Sequence, residues 1–362
     1  MNCWLHALGL HQPTTRMPQE KAAEISVELA EADRRDARRM SAIFRRSGVG
    51  SRSGVSLVDG GNGPEHRWLS ERSEGMPLCP GTGERLRQYM ELAPDMACAA
   101  SEAALHRSGL PASSITHVVT ASCTGFASPG VDHLMIDRLG LPRDVQRTNV
   151  GFMGCHAAIN ALRVAAAFAR SEPDSVVLVT CVEVCSLHFQ KGGSRDAMLA
   201  NALFADGAAS AVVSGRDPVV EGAVRMESSP AAYLPDSNDL MTWTITDDGF
   251  RMTLAPEVPE RLESSVGPWV DVWLEREGLS VPEIGSWAIH PGGPQILDAV
   301  RDGLGIDEAL CRTSREVLAE HGNMSSPTIL HILDRMIRRD APRPWGVLAF
   351  GPGLAAEGLL IR

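Results

Sequence analysis

The run Val176 to Val184, Val-Val-Leu-Val-Thr-Cys-Val-Glu-Val, limits the possible folds more than any other stretch of this chain. A strand with one wet face alternates apolar and polar residues; this one is almost continuously apolar and β-branched, so both of its faces must be covered. Strand-sized and helical patterns alternate before it. Thr116 to Ala121 is a short apolar run, Pro129 to Leu139 is helical, Val145 to Val150 is extended, and Cys155 to Arg170 is a helix stopped by Ser171-Glu172-Pro173-Asp174. The alternation predicts α/β layers.

Further upstream, a helical stretch from Gln19 to Met40 runs into the basic cluster Arg34, Arg35, Arg38, Arg39, Arg45 and Arg46. Residues 51 to 83, rich in Gly, Ser and Pro, predict a long surface excursion, and helix signals resume from Glu84 to about Ser108. Two distant segments share one pattern: Phe204-Ala205-Asp206-Gly207 and Phe350-Gly351-Pro352-Gly353 are each followed by small residues and an apolar strand. A duplicated α/β unit accounts for this, with halves at 1–217 and 218–362. Two unrelated glycine turns before strands account for it equally well.

A length of 362 residues calls for two domains or one doubled fold. The net charge of −11 and the pI near 5.5 exclude a general nucleic-acid binder, since phosphate contacts need a basic face. Eight scattered cysteines without a charged-then-apolar leader predict a reduced, cytoplasmic protein, and no apolar run reaches membrane-spanning length.

Cys155 follows Gly154 and opens an alanine-rich helix. Unpaired N–H groups at a helix start favour a thiolate, so the position suits a nucleophile, although free cysteines often simply pack. His290 ends the strand Gly285 to Ile289 at the turn His290-Pro291-Gly292-Gly293-Pro294; Asn323 sits on Gly322-Asn323-Met324-Ser325-Ser326, before a helix supplied with capping serines. Histidine can pair with a thiolate and, with the asparagine amide, donate to an oxygen that gains charge. Two donors and a nucleophile with no carboxylate suit decarboxylation of a malonyl thioester. Taken singly, the three residues could be a packing cysteine, a turn histidine and a helix cap.

Gly154-Cys155, Ala202-Leu203-Phe204-Ala205-Asp206-Gly207, Ile289-His290-Pro291-Gly292-Gly293-Pro294, Gly322-Asn323-Met324-Ser325-Ser326 and Trp345-Gly346-Val347-Leu348-Ala349-Phe350-Gly351-Pro352-Gly353 together resemble the signatures of the type III polyketide synthases, the chalcone synthase superfamily. The likeness runs from about residue 5 to the C-terminus. It implies a duplicated, five-layer αβαβα thiolase fold, a homodimer, and a catalytic set at Cys155, His290 and Asn323. It also implies acyl-CoA and malonyl-CoA as substrates, with no cofactor beyond these thioesters. Phe204 matches one gatekeeper phenylalanine, and the second position falls on Met252, with Phe250 two residues away. Cys123, Cys185, His188, Trp243 and Ser325 match cavity positions, and Ser128 matches the residue that crosses the dimer. Cys123, Cys185, His188 and Trp243 differ from the types of plant chalcone synthases, and Ser122-Cys123-Thr124-Gly125-Phe126, Trp243 and Met252 look more like bacterial members, which favours an aliphatic starter and an alkylpyrone or resorcinol product.

Cys181, Cys185 and His188 have spacing open to a metal, but strand alternation sends His188 to the other face and no fourth ligand is evident. Arg38, Arg39 and Arg45 are candidates for CoA phosphates, or an ordinary solvated helix face. A single-round ketoacyl synthase, an enzyme taking an aromatic starter as the plant members do, a thiolase-fold scaffold without turnover and a cysteine hydrolase are the competing readings. The histidine and phenylalanine-glycine motifs favour the polyketide branch.

Overall fold

The computed structural model describes residues 2–59, 63–70 and 79–362. Two mixed sheets organise them. The larger has the strand order Val224–Arg225, Trp4–His11, Asp206–Ser214, Val176–Val184, His117–Ser122, Gln146–Gly151. The smaller has the order Ala231–Tyr233, Ala355–Ile361, Trp345–Gly351, Ser286–Ile289.

One pairing pattern recurs in both. Val176–Val184 is parallel to His117–Ser122 and antiparallel to Asp206–Ser214, just as Trp345–Gly351 is parallel to Ser286–Ile289 and antiparallel to Ala355–Ile361. A further antiparallel partner follows in each, Trp4–His11 in the first sheet and Ala231–Tyr233 in the second. The resemblance between the Phe204 and Phe350 segments thus has a topological basis.

Strand alternation sorts the core into layers. Val176, Leu178, Val182 and Val184 face the helix Thr82–Ser108, within a cluster that includes Tyr89, Met96 and Ala104. Val177, Val179 and Cys181 face the opposite way, against the helices Ala157–Ser171 and Pro327–Arg338. Those two helices also meet Trp345, Val347, Leu359 and Ile361 of the second sheet. The far side of that sheet, Trp287, Leu348 and Leu360, packs on the helices Val258–Arg276 and Pro294–Leu304. The layers are therefore helix, sheet, helix, sheet, helix, with the inner strands of each sheet buried on both faces as their apolar sequences require.

Three local expectations are corrected. The stretch from Gln19 to Met40 is broken into the helices Gln19–Leu29 and Arg34–Arg46: Glu31 takes a left-handed conformation (φ 48°), and Asp33 caps the second helix by accepting from the Arg35 and Asp36 N–H groups. The excursion at 51–83, of which 60–62 and 71–78 lie outside the described residues, does not simply cover the surface, since Arg52, Leu57, His66 and Trp68 are buried. The helix at Cys155 opens on a 3-10 turn, Gly154–His156, before the α-helix Ala157–Ser171.

Candidate active site

Two elements deliver the nucleophile candidate. The edge strand Gln146–Gly151 ends in a tight turn, with Phe152 at φ 57° and Gly154 at φ 68°, and the chain then enters the 3-10 turn that carries Cys155. The sulfur lies at a helix start, but its surroundings raise the thiol pKa to about 11. Burial is the main cause and outweighs the hydrogen bonds from Ser325 and Asn323, which favour the thiolate; the Glu183 carboxylate adds to the rise. Cys155 is therefore a thiol at neutral pH, which departs from the activation expected at a helix start.

His290 follows the strand Ser286–Ile289, with its backbone N–H bonded to Leu348 O at 2.8 Å. Both ring nitrogens are buried and have no hydrogen-bond partner among the described residues. Burial lowers its pKa to about 3, with His156 adding a smaller push in the same direction, so the imidazole is neutral. Asn323 is held more firmly. Its backbone N–H bonds Leu203 O and its carbonyl accepts from Ala205, both at 2.9 Å, a bridge that straddles Phe204. Asn323 Oδ1 accepts from the Ser325 N–H at 2.8 Å, which leaves the Nδ2 donors for the site.

Beneath these residues lies a group the sequence reading passed over. Glu183, fully buried in the Val176–Val184 strand, accepts from Ser326 Oγ (2.6 Å), Thr124 Oγ1 (2.7 Å) and the Cys123 and Thr124 N–H groups. Cys123 Sγ lies 3.3 Å from both Glu183 Oε1 and Ser325 Oγ. Burial raises the Glu183 pKa against these hydrogen bonds, and it raises the Cys123 thiol well above its usual value, with help from Glu183. The signal was present: one acidic residue inside an otherwise apolar buried strand needs a reason to be there. Ser326, expected to cap the following helix, makes no cap hydrogen bond and points its hydroxyl at Glu183 instead.

A cavity opens beside the Phe204–Asn323 bridge. Phe204, Trp243, Phe250, Met252, Cys185 and His188 line it, together with the apolar side chains of Met17, Ala22, Ile25, Leu29 and Leu57. Phe250 and Met252 share a strand face, so both candidates for the second gatekeeper reach this cavity. Phe250 is fully buried and stacks on His188 at 4.1 Å; Met252 pairs across the hairpin with Trp243. The strand ends at Val184, and the 3-10 turn Cys185–His188 is what brings both Cys185 and His188 to the wall. Among the described residues no group of His, Cys, Asp or Glu is arranged to hold a metal.

The arginines of the basic cluster face two different grooves. Arg46 and Arg195 line a separate mouth with Leu199, Leu203, Gly292 and Gly293, next to His290 and Phe204. Arg38 and Arg45 line a different groove with Glu20 and Glu24, and Arg39 pairs with Asp36 at 3.1 Å. The consecutive residues Arg45 and Arg46 point about 100° apart around the helix axis and so fall into different sets, and the rotation of the Arg34–Arg46 helix could not be read from the cluster alone. Ser128 stands exposed in a polar cavity with Asp132, Arg147 and Asn149 at the edge of the larger sheet.

Residues 76–218 match the family model for the N-terminal domain of chalcone and stilbene synthases, and residues 225–362 match the model for their C-terminal domain. The chain belongs to the type III polyketide synthase family. It is a malonyl-CoA-dependent condensing enzyme, an acyltransferase that builds polyketides by repeated extension. The chain is similar to the alpha-pyrone synthesis polyketide synthase-like Pks18 of Mycobacterium tuberculosis, 35% identical over 286 residues that span 76% of this chain and 72% of that one. Polyketide synthase 1 of Dictyostelium discoideum is 34% identical over 283 residues, which are 76% of this chain and 9% of that much longer protein. The crystal structure of the C-terminal type III domain of Steely1, a type I/III hybrid from Dictyostelium, superimposes with a TM-score of 0.91 at 28% identity, covering 100% of this chain and 99% of the domain. The duplicated thiolase fold agrees with these matches. Among the described residues no helix is long and apolar enough to cross a membrane.

Proposed function

We propose that this synthase loads an aliphatic acyl-CoA on Cys155, extends it with malonyl-CoA and releases an alkylpyrone or resorcinol-type product. The observation that carries the reading is the apolar part of the cavity lining, where Met17, Ala22, Ile25, Leu29 and Leu57 offer a wall suited to methylene chains. The similarity to an alpha-pyrone synthesis protein supports the product class.

In this reading Cys155 gives its proton to the neutral His290 as the sulfur attacks the starter carbonyl. The Asn323 amide stabilises the oxyanion, and CoA leaves with the proton from His290. Malonyl-CoA then loses carbon dioxide; the electron pair of the broken carbon–carbon bond becomes an enolate whose oxygen His290 and Asn323 hold, and its carbon attacks the acyl-Cys155 thioester. The carbon–sulfur bond of that thioester breaks to release the Cys155 thiolate and leave the lengthened chain on CoA, ready to reload on Cys155 for the next round. Phe204 and Met252 present an apolar face that disfavours the malonyl carboxylate relative to neutral carbon dioxide. Phe250, Trp243, Cys123, Cys185, His188 and Ser325 shape the space for the growing chain. Arg46 and Arg195 meet the CoA phosphates at the mouth.

We further place the boundary between the halves near Asp217-Pro218. The assembly is a homodimer built on the exposed edge strand Gln146–Gly151, with Phe126 and Met153 half exposed beside it. Its solution mass tests that assignment.

The decisive experiment supplies malonyl-CoA with a panel of aliphatic and aromatic acyl-CoA starters and follows products by mass, for the wild type and for Cys155→Ala. Extension and the acyl-enzyme are expected to vanish in the variant, while malonyl decarboxylation persists. Unchanged polyketide output from Cys155→Ala overturns the nucleophile, and turnover confined to aromatic starters overturns the starter class.

A further inference from the structure

The residue after the nucleophile candidate is also a histidine, and nothing in the chemistry above uses it. His156 is buried, and its Nδ1 lies 2.6 Å from Asn160 Oδ1, one helical turn on. Asn160 Nδ2 donates to Glu357 Oε1 at 2.8 Å, and the other Glu357 oxygen pairs with Arg163. Glu357 sits on the last strand, Ala355–Ile361, in the opposite half of the molecule.

The donor and acceptor inventory settles the direction of this chain. Glu357, ion-paired with Arg163, can only accept, so Asn160 must turn its NH2 toward Glu357 and its oxygen toward His156. An oxygen there requires a proton on His156 Nδ1. The neutral ring is thereby confined to one tautomer, with Nε2 left as a bare acceptor.

The backbone of the second half closes on the same turn. A Cβ on Gly351 would lie 2.4 Å from His156 Cδ2 and 2.8 Å from Nε2, and a Cβ on Gly154 would lie 2.4 Å from Pro352 Cδ. The imidazole occupies the place of a missing side chain in the Phe350-Gly351-Pro352-Gly353 turn. It lies near enough to His290 for a charge on one to bear on the other.

We propose that His156 is a positioning residue: the relay Arg163, Glu357, Asn160, His156 fixes its ring in the Nδ1–H tautomer and so locks the Cys155 turn of one half against the His290 half. The inference rests on Cys155 as nucleophile. Asn160→Leu removes the acceptor at similar size, and the double variant Asn160→Asp, Glu357→Gln exchanges amide and carboxylate while keeping an acceptor facing His156.

The test has three readouts: kcat and KM with an acyl-CoA starter, the rate of iodoacetamide alkylation located at Cys155 by peptide mass, and the tautomer of His156 by 15N NMR of histidine-labelled protein. For Asn160→Leu, kcat and the alkylation rate are expected to fall about tenfold with KM nearly unchanged, as for a misplaced reacting group. The double variant is expected to recover most of that loss. The wild-type ring is expected to show Nδ1–H, a measurement that needs no variant to fold. A wild-type Nε2–H tautomer overturns the relay. So does a folded Asn160→Leu protein with lower thermal stability but unchanged kcat and alkylation, since the clamp is then merely structural. If instead alkylation never maps to Cys155, or its loss leaves turnover intact, the nucleophile assignment fails and the relay is not what was at fault.

Discussion

The strand pair Val176–Val184 and Asp206–Ser214 repeats in the second half as Trp345–Gly351 and Ala355–Ile361, yet the two connections differ completely. In the first half, the chain leaves the sheet for the turn Cys185–His188 and the helix Arg195–Leu203 before returning through Phe204. In the second, it reverses at once through Pro352–Leu354. The long connection carries cavity residues, and the short one presses Gly351 and Pro352 against the turn that bears Cys155. One unit, used twice, supplies adaptable walls in one copy and a rigid support in the other.

If the short connection is the support, filling it should do the most harm. Gly351→Ala places a methyl where His156 and Met153 O already stand, and is expected to cost about 2–3 kcal/mol of stability and to reduce turnover by ~100-fold or more. Thermal melts and kcat check this; near-normal turnover would show that the turn gives way freely.

Acid should act on both regions. His66 and His188 on the cavity wall, His290 at the site and His331 in the core all have pKa values lowered to about 3, with burial as the main cause. Because the unfolded chain binds protons that the folded one refuses, their contribution to stability is intact above the ordinary value of 6.5. It is lost as pH falls from 6.5 toward 3, by about 1.4 kcal/mol per pH unit for each group. Melts of wild type and His188→Phe between pH 7 and 5 are expected to show a shallower acid slope in the variant.

Crowding the adaptable side should change selectivity and leave the chemistry in place. Ile25→Trp narrows the apolar part of the cavity and is expected to lower kcat/KM for long-chain acyl-CoA about tenfold, with short starters within about twofold. Equal losses for both would mean that chains do not enter there. The smallest effect is expected at the mouth: Arg46→Ala raises KM for CoA esters about threefold at low salt, and Arg38→Ala leaves it unchanged.

Much of this was legible before any coordinates. Continuous apolar strands require cover on both faces, so Val176–Val184 announced the layers, and Cys155, His290 and Asn323 each stood at an element end, which marked them as candidates. The surroundings were harder to read. Glu183 was hidden because strand patterns report burial and say nothing of what a buried acid accepts from; Ser326 passed for a cap because local hydrogen-bonding rules cannot see a carboxylate arriving from a distant strand. His156 and Glu357 lie far apart in the chain, and only the folded sheet makes them members of one relay. The Arg34–Arg46 helix showed its charge in the sequence, but which arginines face the mouth depends on a rotation set by packing at Met40 and Phe44.

The bridge between Phe204 and Asn323 has a consequence for how such an enzyme can diversify. Main-chain bonds on both sides of Phe204 hold the asparagine in place, and none of them depends on the phenylalanine ring. The ring can therefore be exchanged for a smaller or larger one while the amide stays where it was. Substrate range becomes a replaceable part mounted on a fixed frame, and a lineage can change what it makes without rebuilding how it makes it.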